Sequence, residues 1–166
     1  GIFTNDIYSA DYYWENPKSI SSKDSRFPAS TSNENGVSAV FWQEISKNQN
    51  GGTIYLSGKV FHNNSWQTIS NIAGPYSYSG EVPNIFSLAI NNKNQIAIAV
   101  LSGKNTVSVF SSNDYGKTFT ESKLDQEGTS LVAPRVFRTS SDEFLLFATQ
   151  GQNESFSLMT SSSEDG

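Results

Sequence analysis

Few side chains in this sequence can do chemistry, and the types that are missing narrow the field first. The 166 residues include one histidine, His62, and no cysteine. That removes thiolate metal sites, a disulfide framework, clusters of histidine ligands and most Ser-His or Cys-His nucleophile systems. Carboxylates, guanidinium forks and phenols remain. An arginine fork suits a carboxylate because two parallel N–H donors match its two oxygens, and a glutamate in a pocket that raises its pKa can act as an acid. A tyrosine offers a sugar ring a flat stacking platform. The candidates are Arg26, Glu44, Tyr76, Tyr78 and Arg135. Each also has a plainer reading: Arg26 holding a strand start through a salt bridge or backbone carbonyls, Glu44 as a strand-end carboxylate, Arg135 in a local ion pair, the tyrosines as packing. Trp42 reads as core between sheets and His62 as a surface or structural residue.

Composition sets the outer limits. A net charge of −5 with no basic run argues against a nucleic-acid partner, because such binding needs Lys and Arg to neutralise phosphates. No apolar run approaches the ~18 residues needed to cross a bilayer as a helix. The chain is rich in Ser, Asn, Gly and aromatics and poor in Ala, Leu and Glu, an all-β profile. It suits an exported protein, secreted, periplasmic or at the cell surface. No signal peptide is visible, and the start Gly1-Ile2-Phe3 without Met reads as a trimmed or engineered N-terminus. No motif calls for a metal or a cofactor.

The elements that would position these residues come into register through Ser112-Asn113-Asp114-Tyr115-Gly116-Lys117-Thr118-Phe119. The pattern is S-x-D-x-G-x-T-F, with Val107 to Phe110 alternating before it. It predicts a hairpin in which Asp114 accepts from turn N–H groups, Gly116 takes positive φ, the Ser112 and Thr118 hydroxyls tie the flanks, and Phe119 packs inward. The stretch resembles the Asp-box, or bacterial neuraminidase repeat, found on the turn between the third and fourth strands of propeller blades in sialidases and in many unrelated propellers. The resemblance covers all eight positions and implies a structural role. Ser162-Ser163-Glu164-Asp165-Gly166 resembles the start of a second box, with Glu164 in place of Asp and with Ser162 and Gly166 at the matching positions.

Self-similarity at a fixed period extends this reading. Pro28, Pro83 and Pro134 lie 55 and 51 residues apart. After each, a turn (33–36, 91–94, 140–143) leads into a second strand (37–42, 95–100, 144–148) and then a third (53–56, 106–110, 155–160). Trp66 stands in the first copy where Phe119 stands in the second. Second strands such as Ile96-Ala97-Ile98-Ala99-Val100 are almost continuously apolar, as strands buried on both faces are, whereas Thr118 to Ser122 alternates with polar positions. The expectation is an all-β chain without helix: a β-propeller of four-stranded antiparallel blades, of which this chain covers about three. Residues 1–22 supply an N-terminal outer strand at 11–22 that completes the ring, 23–74 and 75–124 are two blades, and 125–166 is an incomplete third. Six blades is the sialidase-like expectation, with the remainder supplied by further chain or another molecule.

In this scheme the segments Lys23 to Arg26, Gln43 to Gly52, Tyr76 to Val82, Ser102 to Asn105, Thr129 to Arg135 and Thr149 to Asn153 ring the mouth of the channel. Ser25-Arg26-Phe27-Pro28-Ala29 resembles the sialidase motif aromatic-Arg-Ile-Pro-Ala, with Ser25 where the aromatic belongs. The resemblance implies that Arg26 clamps a substrate carboxylate. The loop 45–52, where that family carries a second Arg and an acid/base Asp, has neither, leaving Glu44 as the candidate acid. Two functions are therefore expected: a sialidase-like protein acting on or recognising sialylated or acidic glycans, as a possible exo-glycosidase, or a non-catalytic propeller that binds a glycan or glycoprotein at the same mouth.

Overall fold

The computed structural model describes residues 16–125, 130–152 and 155–163. Its strands are β1 (Ser25–Ser32), β2 (Ser38–Asn48), β3 (Gly51–His62), β4 (Ser65–Ser79), β5 (Phe86–Ile90), β6 (Ile96–Gly103), β7 (Thr106–Ser112), β8 (Thr120–Asp125), β9 (Ser130–Arg138), β10 (Phe144–Gln152) and β11 (Ser155–Ser163), and no helix occurs among the described residues. They form three antiparallel meanders: β1-β2-β3-β4, β5-β6-β7-β8 and β9-β10-β11.

β6 shows why a strand can afford to be apolar on every residue. Its alternation sends Ile96, Ile98 and Val100 toward Phe41, Leu56 and Val60 of the first sheet, while Ala97 and Ala99 face Val136, Leu146 and Ala148 of the third. The second sheet is thus buried on both sides. Its fourth strand, β8, is exposed along its whole length. At the other margin the first strands of the three sheets lie together, β1 against β5 and β5 against β9. There the Ser87 hydroxyl accepts from the Val136 N–H at 3.0 Å and donates to the Val136 carbonyl at 3.4 Å.

The turn between the first two strands of each sheet is built the same way three times. A side-chain oxygen of Asn33, Asn91 or Thr139 accepts from the N–H four residues on, at Val37, Gln95 or Glu143. The residue three places after each takes left-handed φ: Gly36 at 76°, Asn94 at 63° and Asp142 at 63°. Glycine, Asn and Asp are the types that tolerate this. The turns also bond to one another: Asn33 Nδ2 donates to the Asn91 carbonyl at 3.0 Å, and Asn91 Nδ2 to the Asp142 carbonyl at 3.3 Å.

The Ser112–Phe119 turn closes as its residues dictate. Ser112 Oγ donates to Asp114 Oδ1 at 2.8 Å and accepts from the Gly116 N–H at 2.9 Å. Asp114 accepts from the Thr118 N–H at 2.9 Å and the Thr118 hydroxyl at 2.6 Å. Gly116 takes φ 84°, which strains any side chain, and a Cβ there would stand tightly at 3.1 Å from Val60 and 3.3 Å from Ile69. Phe119 meets Phe41 edge to face with centroids 6.3 Å apart, so the turn fastens the second sheet onto the first.

Several expectations need correction. The common frame of the repeat is the turn rather than the prolines. Pro28 and Pro134 sit inside β1 and β9, at bulges where the register skips and no ladder N–H is needed, but Pro83 precedes β5 altogether. Trp66 does not pack as Phe119 does; it is 53% exposed and leans on Phe61. The two-residue turn Asn63-Asn64 accounts for this, since it brings Trp66 into the ladder opposite Phe61, whereas Phe119 stands in the turn ahead of β8. Segments 43–52 and 76–82, expected as loops, are largely ladder: β2 runs to Asn48, β3 starts at Gly51, and Tyr76 to Ser79 close β4 against Gly51 to Ile54. Residues 16–22 form no strand, and the rest of the expected strand at 11–22 lies outside the described residues, as do Glu164 and Gly166. Ser162 is within β11, opposite Leu145.

The Thr118 hydroxyl and then the Thr118 N–H hold the Asp114 carboxyl at about 2, well below the usual carboxylate range. A depressed folded-state pKa gives stability that is complete above the unfolded value near 4 and is lost as pH falls toward 2. Asp114→Asn should therefore cost about 1 kcal/mol at pH 7, allowing for solvent exposure, and the gap to wild type should narrow to less than half by pH 2.5. Urea unfolding at both pH values measures it; an unchanged gap would contradict the assignment.

Candidate functional site

Arg26 owes its position to a break in β1. The strand pairs Arg26 with Gln43, then skips to Ala29 against Phe41. In the skipped dipeptide Phe27 holds φ at 54°, a left-handed conformation costly for a bulky residue and unusual before proline. Such strain persists only where the surroundings enforce it, and it collects at functional sites. The guanidinium emerges into an open cleft of about 660 Å³ whose walls include Arg26, Lys47, Asn50, Tyr78, Glu81 and Val82. The cleft joins three of the segments expected at the mouth: the start of β1, the β2–β3 hairpin, and the end of β4 with the linker after it.

Gln43 fixes that linker. It is fully buried between the first sheet and the linker to the second, where its amide Nε2 donates to the Pro83 carbonyl at 2.8 Å and its Oε1 accepts from the Ile85 N–H at 2.8 Å. Both halves of the carboxamide are used, so the chain leaving Glu81 and Val82 is held at a set height above β2.

Arg26 is already engaged. Its Nε donates to Asp24 Oδ1 at 3.2 Å and its Nη2 to Asp24 Oδ2 at 3.4 Å, with both side chains around two-fifths exposed. An exposed pair of this kind contributes at most about 1 kcal/mol, so an incoming carboxylate can displace Asp24. Lys47 adds a second cation to the same walls and Tyr78 an aromatic ring.

The other candidates stand elsewhere. Glu44 follows Gln43 in β2 and so faces the opposite side of the sheet from Arg26; Lys23 Nζ donates to its Oε2 at 3.1 Å and Trp42 Nε1 to its Oε1 at 3.4 Å. The two residues cannot grip one ligand together. Trp42 is buried on that same face. Tyr76 packs against the core between the first two sheets. Burial, and then the charge of Glu121, push its phenol up to about 12, so it stays protonated at neutral pH. Arg135 is exposed on β9 and donates to the Pro134 carbonyl at 2.8 Å. His62 stacks on Tyr115 at 3.5 Å. Among the described residues no cluster of His, Cys, Asp and Glu could hold a metal, and no helix is long and apolar enough to cross a membrane.

Residue types pointed to Arg26 and Tyr78; they missed Asp24, Lys47 and Gln43. Lys47 lay within a segment expected at the mouth, but nothing in its type marked it. Gln43 carried a usable signal, a carboxamide in an otherwise apolar strand.

No family model and no curated protein matches this chain.

Replacing Gln43 by Leu keeps the volume and strands the buried Ile85 N–H. The expected loss is about 2 kcal/mol, read as a shift of the urea midpoint at pH 7; a loss below about 0.5 kcal/mol would show that the linker is held by something else.

Proposed function

We propose that the chain is part of a sialidase-like Asp-box propeller that recognises acidic glycans, with the Arg26 cleft as the binding site. Three observations support the propeller: two four-strand meanders followed by a three-strand one, first strands gathered along one margin, and a middle sheet buried on both faces. The observation that carries the binding reading is that Arg26 and Tyr78, from opposite edges of the first sheet, open onto one cleft. A fork for a carboxylate beside a ring for a sugar face is the pairing an acidic saccharide requires. Lys47 gives a second positive charge in a protein whose net charge is −5. Recognition is favoured over hydrolysis because Glu44, the one acid assigned to chemistry, turns its carboxylate away from Arg26 and toward Lys23.

Isothermal titration with sialyllactose and with lactose, which differ by the carboxylate-bearing sugar, tests the reading. Sialyllactose should bind and lactose should bind at least about tenfold more weakly, with Arg26→Ala erasing the difference. Equal affinity for the two sugars, or an Arg26→Ala protein that still prefers the acid, would end it. A fluorogenic sialoside incubated with the protein shows no turnover on this reading.

A further inference from the structure

We infer that the end of the first two sheets remote from Arg26 carries a second ligand site, for a neutral polyhydroxylated ligand such as a saccharide unit. At that end four turns, two from each sheet, converge around a crevice of about 490 Å³, within the range of small-molecule sites. Asn35, His62, Asn63, Asn64, Asn94 and Tyr115 form most of its wall, and none of the residues lining it is charged. The Tyr115 ring, from the second sheet, lies flat on the His62 ring of the first at 3.5 Å and 9°, so a stacked aromatic pair that bridges the two sheets forms part of the wall.

The backbone of the walls is unusual. Asn63, Asn64, Asn94 and Tyr115 hold φ between 52° and 63°, and Gly36 holds 76°. Asn63 and Asn64 together make the two-residue turn from β3 to β4 with both φ positive, which fixes where their side chains project. Their amides make no hydrogen bond to other described residues. Asn35 Nδ2 donates to the Asn92 carbonyl at 2.7 Å and to Asn94 Oδ1 at 3.2 Å, so that amide's donors are already used.

The chemistry of this wall selects the ligand. A carboxamide offers donors and an acceptor in one plane, and so does a pair of neighbouring sugar hydroxyls. An ion would find no counter-charge here, and an apolar ligand would leave the amides without partners, at a cost for each. A neutral polyol satisfies both conditions. The inference does not rest on the Arg26 cleft.

The test is a ¹H–¹⁵N correlation titration of the protein with glucose, galactose, N-acetylglucosamine and lactose at millimolar concentration. At least one sugar should shift the amides of residues 62–64, 94 and 115. The double substitution Asn63→Gly with Asn64→Gly keeps a turn that needs positive φ while deleting both amides; it should weaken that sugar by about tenfold or more with no change in thermal midpoint. Asn64→Asp is the second variant should the first fold poorly, and it should weaken binding as well. Arg26→Ala should leave these shifts intact. If no sugar perturbs these amides, if the shifts gather around Arg26 and Tyr78 instead, or if the amide-deleted protein binds as wild type does, the second site does not exist.

Discussion

A β-sheet with two apolar faces cannot stand in water, and the second sheet has two. Ile96, Ile98 and Val100 are covered by the first sheet, Ala97 and Ala99 by the third. The rest of the structure follows from this double burial. β6 turns large side chains to one neighbour and alanines to the other, and close packing leaves little freedom in how the three sheets meet. Polar groups are therefore driven to the ends of the sheets and to the outer strands, where β8 is exposed throughout.

Apolar contact resists separation but is a poor guide to register, because one ridge slides over another at little cost. The directional bonds at the turns supply what packing lacks. Asn33, Asn91 and Asp142 link the three first turns in series, and Ser87 ties β5 to β9. Gly116 rests on Val60 and Ile69 with no space to spare. Each bond is worth only about 1 kcal/mol net, yet a shift of one residue would break all of them at once. Specific stacking is thus a cooperative property of many small terms.

How far the sequence foretold this depended on whether a residue's role was local. The Ser112–Phe119 turn was legible in full, because every bond it makes lies within a few residues and each type has one evident use. The continuous apolar run of β6 likewise announced burial on both faces. Roles set by tertiary context were not legible. Trp66 follows a two-residue turn and stands in the ladder opposite Phe61, whereas Phe119 belongs to a turn of eight residues between Ser111 and Thr120 and packs on Phe41. The prolines marked a true period with one member out of place, since the bulge that accepts Pro28 and Pro134 has no counterpart in β5. At the cleft, the segments were foreseen and the partners were not: that Asp24 engages Arg26, or that Gln43 holds the linker, depends on register that no local pattern encodes.

The pairing of Arg26 with Asp24 bears on how tightly the cleft can hold an acid. A ligand carboxylate that takes Asp24's place exchanges one exposed charge pair for another, so the net electrostatic gain is small. Association also costs several kcal/mol of lost translational and rotational freedom. The surplus must then come from contacts that have no competitor in the free protein, chiefly stacking on Tyr78 and attraction to Lys47. On the proposed reading Asp24 would act as a selectivity element, because a ligand must replace both of the hydrogen bonds it accepts from Arg26. A cleft that worked this way would discriminate well and bind weakly, a combination that multivalent display of the ligand would offset.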